Sequence, residues 1–329
     1  MIVVTGATGF LGGAVVRALL ARGEAVKALV RPSSSAAALD VPGVSVAYGD
    51  VASAEGLREA FDGARMVVHA AGMLGQPGVP DATYVRVHAT GTANVLAAAR
   101  AAGVVRVVHV SSPGVLGPLR RGAPDADEEA PLRPTNPYER SKAAAEDVVR
   151  ADAEKHGPIA VVVRPEFVYG PHDRHVLRLF EAVARGRFVY FGAGDAVCHP
   201  TFIDDAVAGL LSAAERGTPG RIYHVAGPRP VSIVELAGTY AAALGVRAPF
   251  VHVPERPVRW ALRVLEPVAS RARLSLPIST PAVDFFTQDR HFSVRRARDE
   301  LGFVPSVDLE DGVRRTVRWY EREGLLPSR

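Results

Sequence analysis

The chain has 329 residues, 48% hydrophobic and 22% charged, with 39 Lys and Arg against 35 Asp and Glu. That length predicts about two domains, and the composition is that of an ordinary globular protein with a large core. The formal charge of +4 is small, no block of five basic residues occurs, and Cys198 is the only cysteine; this argues against a nucleic-acid or polybasic-membrane partner and excludes an internal disulfide or multi-cysteine metal site.

Residues 2–4 are a short β-branched run, Ile2-Val3-Val4, leading into Thr5-Gly6-Ala7-Thr8-Gly9-Phe10-Leu11-Gly12-Gly13. Three apolar residues are too few for a signal-peptide core of about 7–15, and no run reaches the roughly 18 apolar residues of a spanning helix. A cytoplasmic protein without an integral membrane segment is expected. After the glycines, Val15, Val16, Leu19 and Leu20 mark one side of a helix, with Gly23 as its closing residue. A glycine loop between strand and helix is the setting a dinucleotide needs: no side chain blocks the pyrophosphate, and the helix N-terminus offers N–H groups. The same triplet also occurs in plain tight turns. No Lys-Ser/Thr follows it, which excludes a P-loop.

The next strand spans 25–30 and is followed by Arg31-Pro32-Ser33-Ser34-Ser35. An Asp or Glu about 20 residues past the loop would bind a ribose 2′-hydroxyl. Arg31 with neighbouring hydroxyls instead suits a 2′-phosphate, so NADP is preferred over NAD; the alternative is a merely solvated arginine. Strands at 44–48 and 65–69 end in Gly49-Asp50-Val51 and Ala70-Ala71-Gly72. Alternating strands and helices predict a doubly wound parallel α/β sheet with a ligand at the strand carboxyl ends.

A strand at 104–110 ends in Ser111-Ser112-Pro113-Gly114. Asn136-Pro137-Tyr138-Glu139-Arg140-Ser141-Lys142 then opens a helix. Tyr138 and Lys142, four apart, share a helix face. Alone the pair means little. After a dinucleotide-type half it predicts chemistry: an ammonium beside a phenol lowers its pKa, and the phenol exchanges a proton with a carbonyl or alcohol oxygen. A strand-end serine would hydrogen-bond the same oxygen.

These segments together resemble the extended short-chain dehydrogenase/reductases, the NAD-dependent epimerase/dehydratase superfamily. The motifs are those already quoted, with Gly91-Thr92-Ala93-Asn94, Arg164-Pro165-Glu166-Phe167-Val168-Tyr169-Gly170-Pro171, Phe202-Ile203-Asp204-Asp205 and Ala297 to Phe303. The resemblance implies a Rossmann-type domain over 1–171, rejoined by 201–227, and a smaller substrate lobe from 172–200 and 228–329. It implies a homodimer through helices near 84–102 and 138–155. It implies Tyr138 as acid/base, Lys142 on the nicotinamide ribose and Ser112 on the substrate oxygen. It places Gly6, Thr8, Gly9, Phe10 and Leu11 on the pyrophosphate, and Asp50 and Val51 beside the adenine. Ala70, Ala71 and Gly72 would line the cofactor, and Pro165 to Val168 the nicotinamide end. Two positions depart from the family pattern: His88 stands where Asn is common, and Leu116 where Tyr is usual.

The remaining segments bear on the substrate. His172-Asp173-Arg174-His175 reads as a polar loop, and no metal site is expected. Ser232 with Glu235 is a capping box, and a last helix begins near Asp308 with Leu309, Val313, Val317 and Tyr320 on one face. Sugar-nucleotide members of the family hold a diphosphate with two C-terminal arginines. Cys198 and the stretch from Pro281 to Phe286 stand in those places, although Arg187, Arg221 or Arg229 would be substitutes. Between 255 and 290 lie Trp260, Leu262, Val264, Leu265, Val268, Leu274, Leu276, Ile278, Phe285 and Phe286. This resembles the lobe of the 3β-hydroxysteroid dehydrogenase and dihydroflavonol-reductase-like branch. It predicts an apolar substrate pocket, a helical pair on a membrane surface, or a plain small core. The leading expectation is an NAD(P)-dependent oxidoreductase for a secondary alcohol or ketone of an apolar small molecule. The alternatives are a nucleotide-sugar epimerase or dehydratase, and a catalytically silent cofactor-sensing protein.

Overall fold

The computed structural model describes residues 1–76, 78–271 and 278–326. Its first half alternates strands β1 (Ile2–Thr5), β2 (Val26–Val30), β3 (Val44–Tyr48), β4 (Met66–His69), β5 (Arg106–Val110) and β6 (Ala160–Pro165) with helices. The helices are α1 (Phe10–Ala21), α2 (Leu57–Phe61), α3 (Asp81–Val85), α4 (Gly91–Ala101) and α5 (Pro137–His156). The second half holds β7 (Val168–Tyr169), α6 (Leu177–Ala184), β8 (Tyr190–Phe191), β9 (Val197–Cys198), β10 (Thr201–Phe202), α7 (Ile203–Arg216) and β11 (Ile222–Val225). It closes with β12 (Val231–Ser232), α8 (Ile233–Ala243), β13 (His252–Val253), α9 (Glu255–Arg271), α10 (Thr280–Thr287), α11 (Arg295–Leu301) and α12 (Leu309–Arg322).

Seven strands form one parallel sheet in the order β11-β6-β5-β4-β1-β2-β3. Its strands are β-branched on both faces because both faces are covered. Val4, Val68, Val108 and Val163 face α1 and α7, whereas Val3, Val67, Val107 and Val162 face α2, α4 and α5. The strand order reverses at β1, and such a switch point opens a crevice at the strand carboxyl ends. The chain leaves the sheet after β6 and returns for α7 and β11, which becomes the edge strand.

The predicted helix ends are present. Gly23 has φ +74° and donates its N–H to the Leu20 carbonyl, while Glu24 donates to Leu19, a Schellman closure that glycine permits. Asn136, Ser232 and Asp308 each accept a backbone N–H three residues on, capping α5, α8 and α12.

The smaller C-terminal region packs around Phe180, whose ring stacks on Tyr240 at 4.1 Å and meets Tyr320 edge-on. His172, from the polar loop, lies against Trp319 at 4.8 Å. The apolar segment does not form one pocket wall. In α9, Leu262 and Ala269 turn inward, while Trp260, Val264, Leu265 and Val268 face outward. Phe286 packs on Phe188 and Phe191, and Ile278 lies against the core. Leu274 and Leu276 lie outside the described residues.

Candidate active site

Because the strands are parallel, Gly6, Arg31, Asp50, Ala70, Ser112 and Pro165 all fall at or just beyond the same sheet edge. The loop after β1 is compact. Gly6 has φ +70°, and a Cβ there would lie 2.6 Å from the Ala70 carbonyl oxygen. A Cβ on Gly12 would lie 2.2 Å from the Gly6 oxygen. Neither position tolerates a side chain. Thr8 and Gly9 are exposed at the loop tip, and Gly9 begins α1 without a side-chain cap. The first-turn N–H groups at Phe10 and Leu11 therefore have no side-chain acceptor, as an anion site at a helix N-terminus requires. The Thr5 hydroxyl accepts the Ala71 N–H at 3.1 Å and ties this loop to the Ala70-Ala71-Gly72 segment. Asn94 donates to the Val51 carbonyl at 2.8 Å, fixing the Asp50-Val51 turn. Arg31 is exposed just beyond β2. This glycine-lined cradle fits a dinucleotide.

Tyr138 and Lys142 sit one turn apart at the start of α5. The two serines after β5 divide: Ser111 donates to Glu146 at 2.5 Å inside the core, whereas Ser112 accepts the Gly114 N–H at 3.2 Å and stands close enough to the Tyr138 phenol to act on it. Burial pushes the Tyr138 phenol up to about 12; the Ser112 hydroxyl opposes this, and the Glu166 and Glu139 carboxylates reinforce it. This corrects the expectation of a phenol lowered by Lys142. The buried Lys142 ammonium instead donates to the Val110 carbonyl at 2.9 Å, and burial brings it down to about 8 against the pull of Glu146.

Behind the pair runs a buried polar chain. His88 lies in a π-helical turn, Arg86–Thr90, between α3 and α4. The Met73 N–H donates to its Nε2 at 3.1 Å. Nδ1 therefore carries the proton and donates to the Ser141 hydroxyl at 2.7 Å, which donates in turn to the Tyr138 carbonyl oxygen at 2.7 Å. The His88 ring also stands edge-on to the Tyr138 ring, 5.7 Å between centroids. Burial, with Lys142 and His69 nearby, lowers His88 to about 3, so the imidazole is neutral. The departure from Asn is thus filled by a ring with two committed hydrogen bonds. Leu116, the other departure, is buried in a small cluster with Val115 and Phe292.

Near Tyr138 also stand Glu139 and Glu166, quoted in the motifs without a charge role, and Arg290, which motif reading missed. Arg290 pairs with the buried Glu139 at 2.8 Å, and Glu139 also accepts the Thr135 N–H and hydroxyl. Glu166 is buried beside them. Burial raises its carboxyl to about 8, with Arg290 opposing and Glu139 adding to the rise. Its neighbour Phe167 holds φ +30°, unusual for a bulky residue, and packs on Phe285 at 4.9 Å. The arginine sought in the C-terminal segment exists, but at Arg290, four residues beyond the stretch ending at Phe286. Of the suggested substitutes, Arg187 is exposed, while Arg221 pairs with Glu300 and Arg229 with Glu235. Cys198 is buried, and burial pushes its thiol up.

A glycine cradle at a doubly wound switch point, with a buried Tyr-Lys helix and a serine at its mouth, defines an NAD(P)-dependent enzyme of the extended short-chain dehydrogenase/reductase type. Residues 2–226 match the NAD dependent epimerase/dehydratase family, and the chain belongs to it. It is 33% identical over 94% of its length to the 4-hydroxy-2-methyl-3-oxo-4-farnesyl-3,4-dihydroquinoline-1-oxide ketoreductase of Stigmatella aurantiaca, covering 93% of that protein. It is 32% identical over 99% of its length to a dTDP-glucose 4,6-dehydratase of Streptomyces griseus, covering 97% of it. The crystal structure of gox2253 superposes with a TM-score of 0.85 at 27% identity, over 98% of each chain.

Proposed function

We propose that the protein reduces a ketone, or oxidises the matching secondary alcohol, on an apolar small molecule, with NADP as the preferred cofactor. The observation that carries this reading is the Glu139–Arg290 pair. Arg290, paired with the residue that follows Tyr138, is already neutralised, and Phe167, which follows Glu166, packs on Phe285. A doubly charged diphosphate needs free arginines, whereas a neutral apolar ketone does not. The name of the Stigmatella ketoreductase, a farnesylated ketone substrate, supports the same class.

In this reading the glycine loop and the α1 N-terminus hold the pyrophosphate through Gly6, Thr8, Gly9, Phe10 and Leu11. Asp50 and Val51 flank the adenine, and Arg31 meets a 2′-phosphate. Ala70, Ala71, Gly72, Pro165 and Val168 line the cofactor. The nicotinamide supplies or accepts hydride. Burial keeps the Tyr138 phenol protonated at neutral pH, so Tyr138 can donate its proton to the carbonyl oxygen in reduction and take it back in oxidation. Ser112 hydrogen-bonds that oxygen, and Lys142 holds the nicotinamide ribose. Calorimetric titration with NADPH, NADH and UDP-glucose separately tests the assignment. Tight NADPH binding without UDP-glucose binding is expected; UDP-glucose binding would move the protein to the epimerase and dehydratase reading.

A further inference from the structure

Most exposed apolar side chains, such as Tyr48, Val105 and Val304, are scattered singly, which needs no explanation. Helix α9 is different. Trp260 is 70% exposed, and Val264 and Val268, one and two turns on, are 52% and 59% exposed. Leu265 borders them at 49%, and Phe250, ahead of the helix, is 80% exposed. The opposite face is anchored: Leu262 and Ala269 are buried, and Arg259 is held by Glu255, Asp284 and Thr287. The outward orientation is therefore fixed by packing against α10.

The charges on this face have one sign. Arg256 and Arg263 lie four before and three after Trp260, on the same side of the helix, and both are exposed. Among the described residues neither makes an ion pair. The two acids of the helix are engaged elsewhere: Glu255 with Arg259, and Glu266 with the Thr280 N–H and hydroxyl at 2.6 and 2.9 Å. An apolar stripe with tryptophan at its centre and unpaired arginines beside it is what an interfacial helix presents to lipid. A second copy of the chain would bring the same arginines and no carboxylate on this face to meet them. An anionic headgroup layer supplies the missing charge.

We infer that the Trp260–Val264–Val268 face of α9 docks on the surface of an anionic phospholipid bilayer, lying in the interface without crossing it. Helix α9 packs on α10, which carries Phe285 against Phe167 beside Tyr138. Docking would thus set the candidate active site near the lipid, although the test needs no turnover.

Flotation of the full chain with vesicles of phosphatidylglycerol and phosphatidylcholine in equal parts, against pure phosphatidylcholine, tests it. The protein is expected to float with the anionic vesicles, to be released by high salt, and to show a blue shift in tryptophan emission. Trp319 is already buried, so the shift reports Trp260. Arg256→Gln with Arg263→Gln should lower partitioning by about 30-fold, each surface arginine counting for about fivefold. Trp260→Ser with Val264→Ser should abolish flotation while circular dichroism stays unchanged, since both side chains are on the surface. Failure to float, flotation of the Ser variant like the parent, or a Trp260-dependent dimer without vesicle binding would overturn the inference.

Discussion

His88 is the residue whose removal tests most of the site's geometry. His88→Ala leaves the Met73 N–H and the Ser141 hydroxyl without the partner they have at 3.1 and 2.7 Å. A buried polar group left unpaired costs about 1–3 kcal/mol, and losing the edge-on contact with Tyr138 costs about 0.5–1.5 kcal/mol. Water entering the vacated space recovers part of this, leaving about 2–4 kcal/mol. In a chain of 329 residues that lowers Tm by roughly 3–6 °C. The kinetic consequence follows from Ser141, which donates to the Tyr138 carbonyl. Without the imidazole the first turn of α5 loses its tether, and a misplacement near 1 Å costs about 100-fold in kcat. Two further variants separate the two bonds. Asn places its amide nitrogen near the Nδ1 position, so His88→Asn should keep the Ser141 bond and most of kcat while raising KM for the cofactor. Gln reaches the Nε2 position, so His88→Gln should keep the Met73 bond and the cofactor KM while losing kcat. Steady-state kinetics with thermal melts read all three. Alanine kinetics within about twofold of the parent, or identical Asn and Gln variants, would refute the reasoning.

Three other expectations follow from the site. Tyr138→Phe should lower kcat by about 10²–10⁴-fold and leave calorimetric cofactor binding unchanged; retained turnover would remove the proton-donor role. Glu166 has its carboxyl raised from 4.5 to about 8, so the folded chain holds a proton that the unfolded chain releases in that window, and stability falls as pH rises through it. Glu166→Gln keeps the neutral shape, and its Tm should exceed the parent's near pH 9 while matching it near pH 5; parallel pH profiles would contradict the raised carboxyl. Arg31→Asp should raise the Kd for NADPH far more than that for NADH, and equal effects would end the 2′-phosphate assignment.

The sheet and its helix ends were legible because they rest on local signals. A β-branched run before a glycine loop, Gly23 at a helix end, and Asn136, Ser232 and Asp308 ahead of apolar periods each act within a few residues. The Tyr138–Lys142 spacing and the strand-end serines were legible for the same reason. The Glu139–Arg290 pair was not, because it joins residues on α5 and after α10 that only the packed fold brings together. The Tyr138 phenol was misjudged for a related reason. Spacing shows that Lys142 is one turn away, but not that its ammonium turns to the Val110 carbonyl while two carboxylates approach the phenol. Composition alone left the apolar segment at 255–290 open between a pocket, a membrane-surface helical pair and a plain small core. Its period, with Trp260, Val264 and Val268 four apart, already separated an outward stripe from the inward Leu262 and Ala269.

The titratable groups around Tyr138 move in a common direction. The phenol and the Glu166 carboxyl are raised, and Lys142 and His88 are lowered. Each shift is towards the neutral form and each has burial as its largest cause, so the pocket penalises charge as such. The Glu139–Arg290 ion pair beside them sets its two charges against each other. A diphosphate entering beside this pair would lose its hydration and compete with Glu139 for Arg290, whereas a ketone with an apolar body loses little. It also follows why a protonated tyrosine suits the reaction. In the proposed reaction the oxyanion forming on the substrate would take its proton from Tyr138, with Ser112 beside the same phenol. The same burial that raises the Tyr138 phenol disfavours charge beside it, which supports the neutral substrate proposed above.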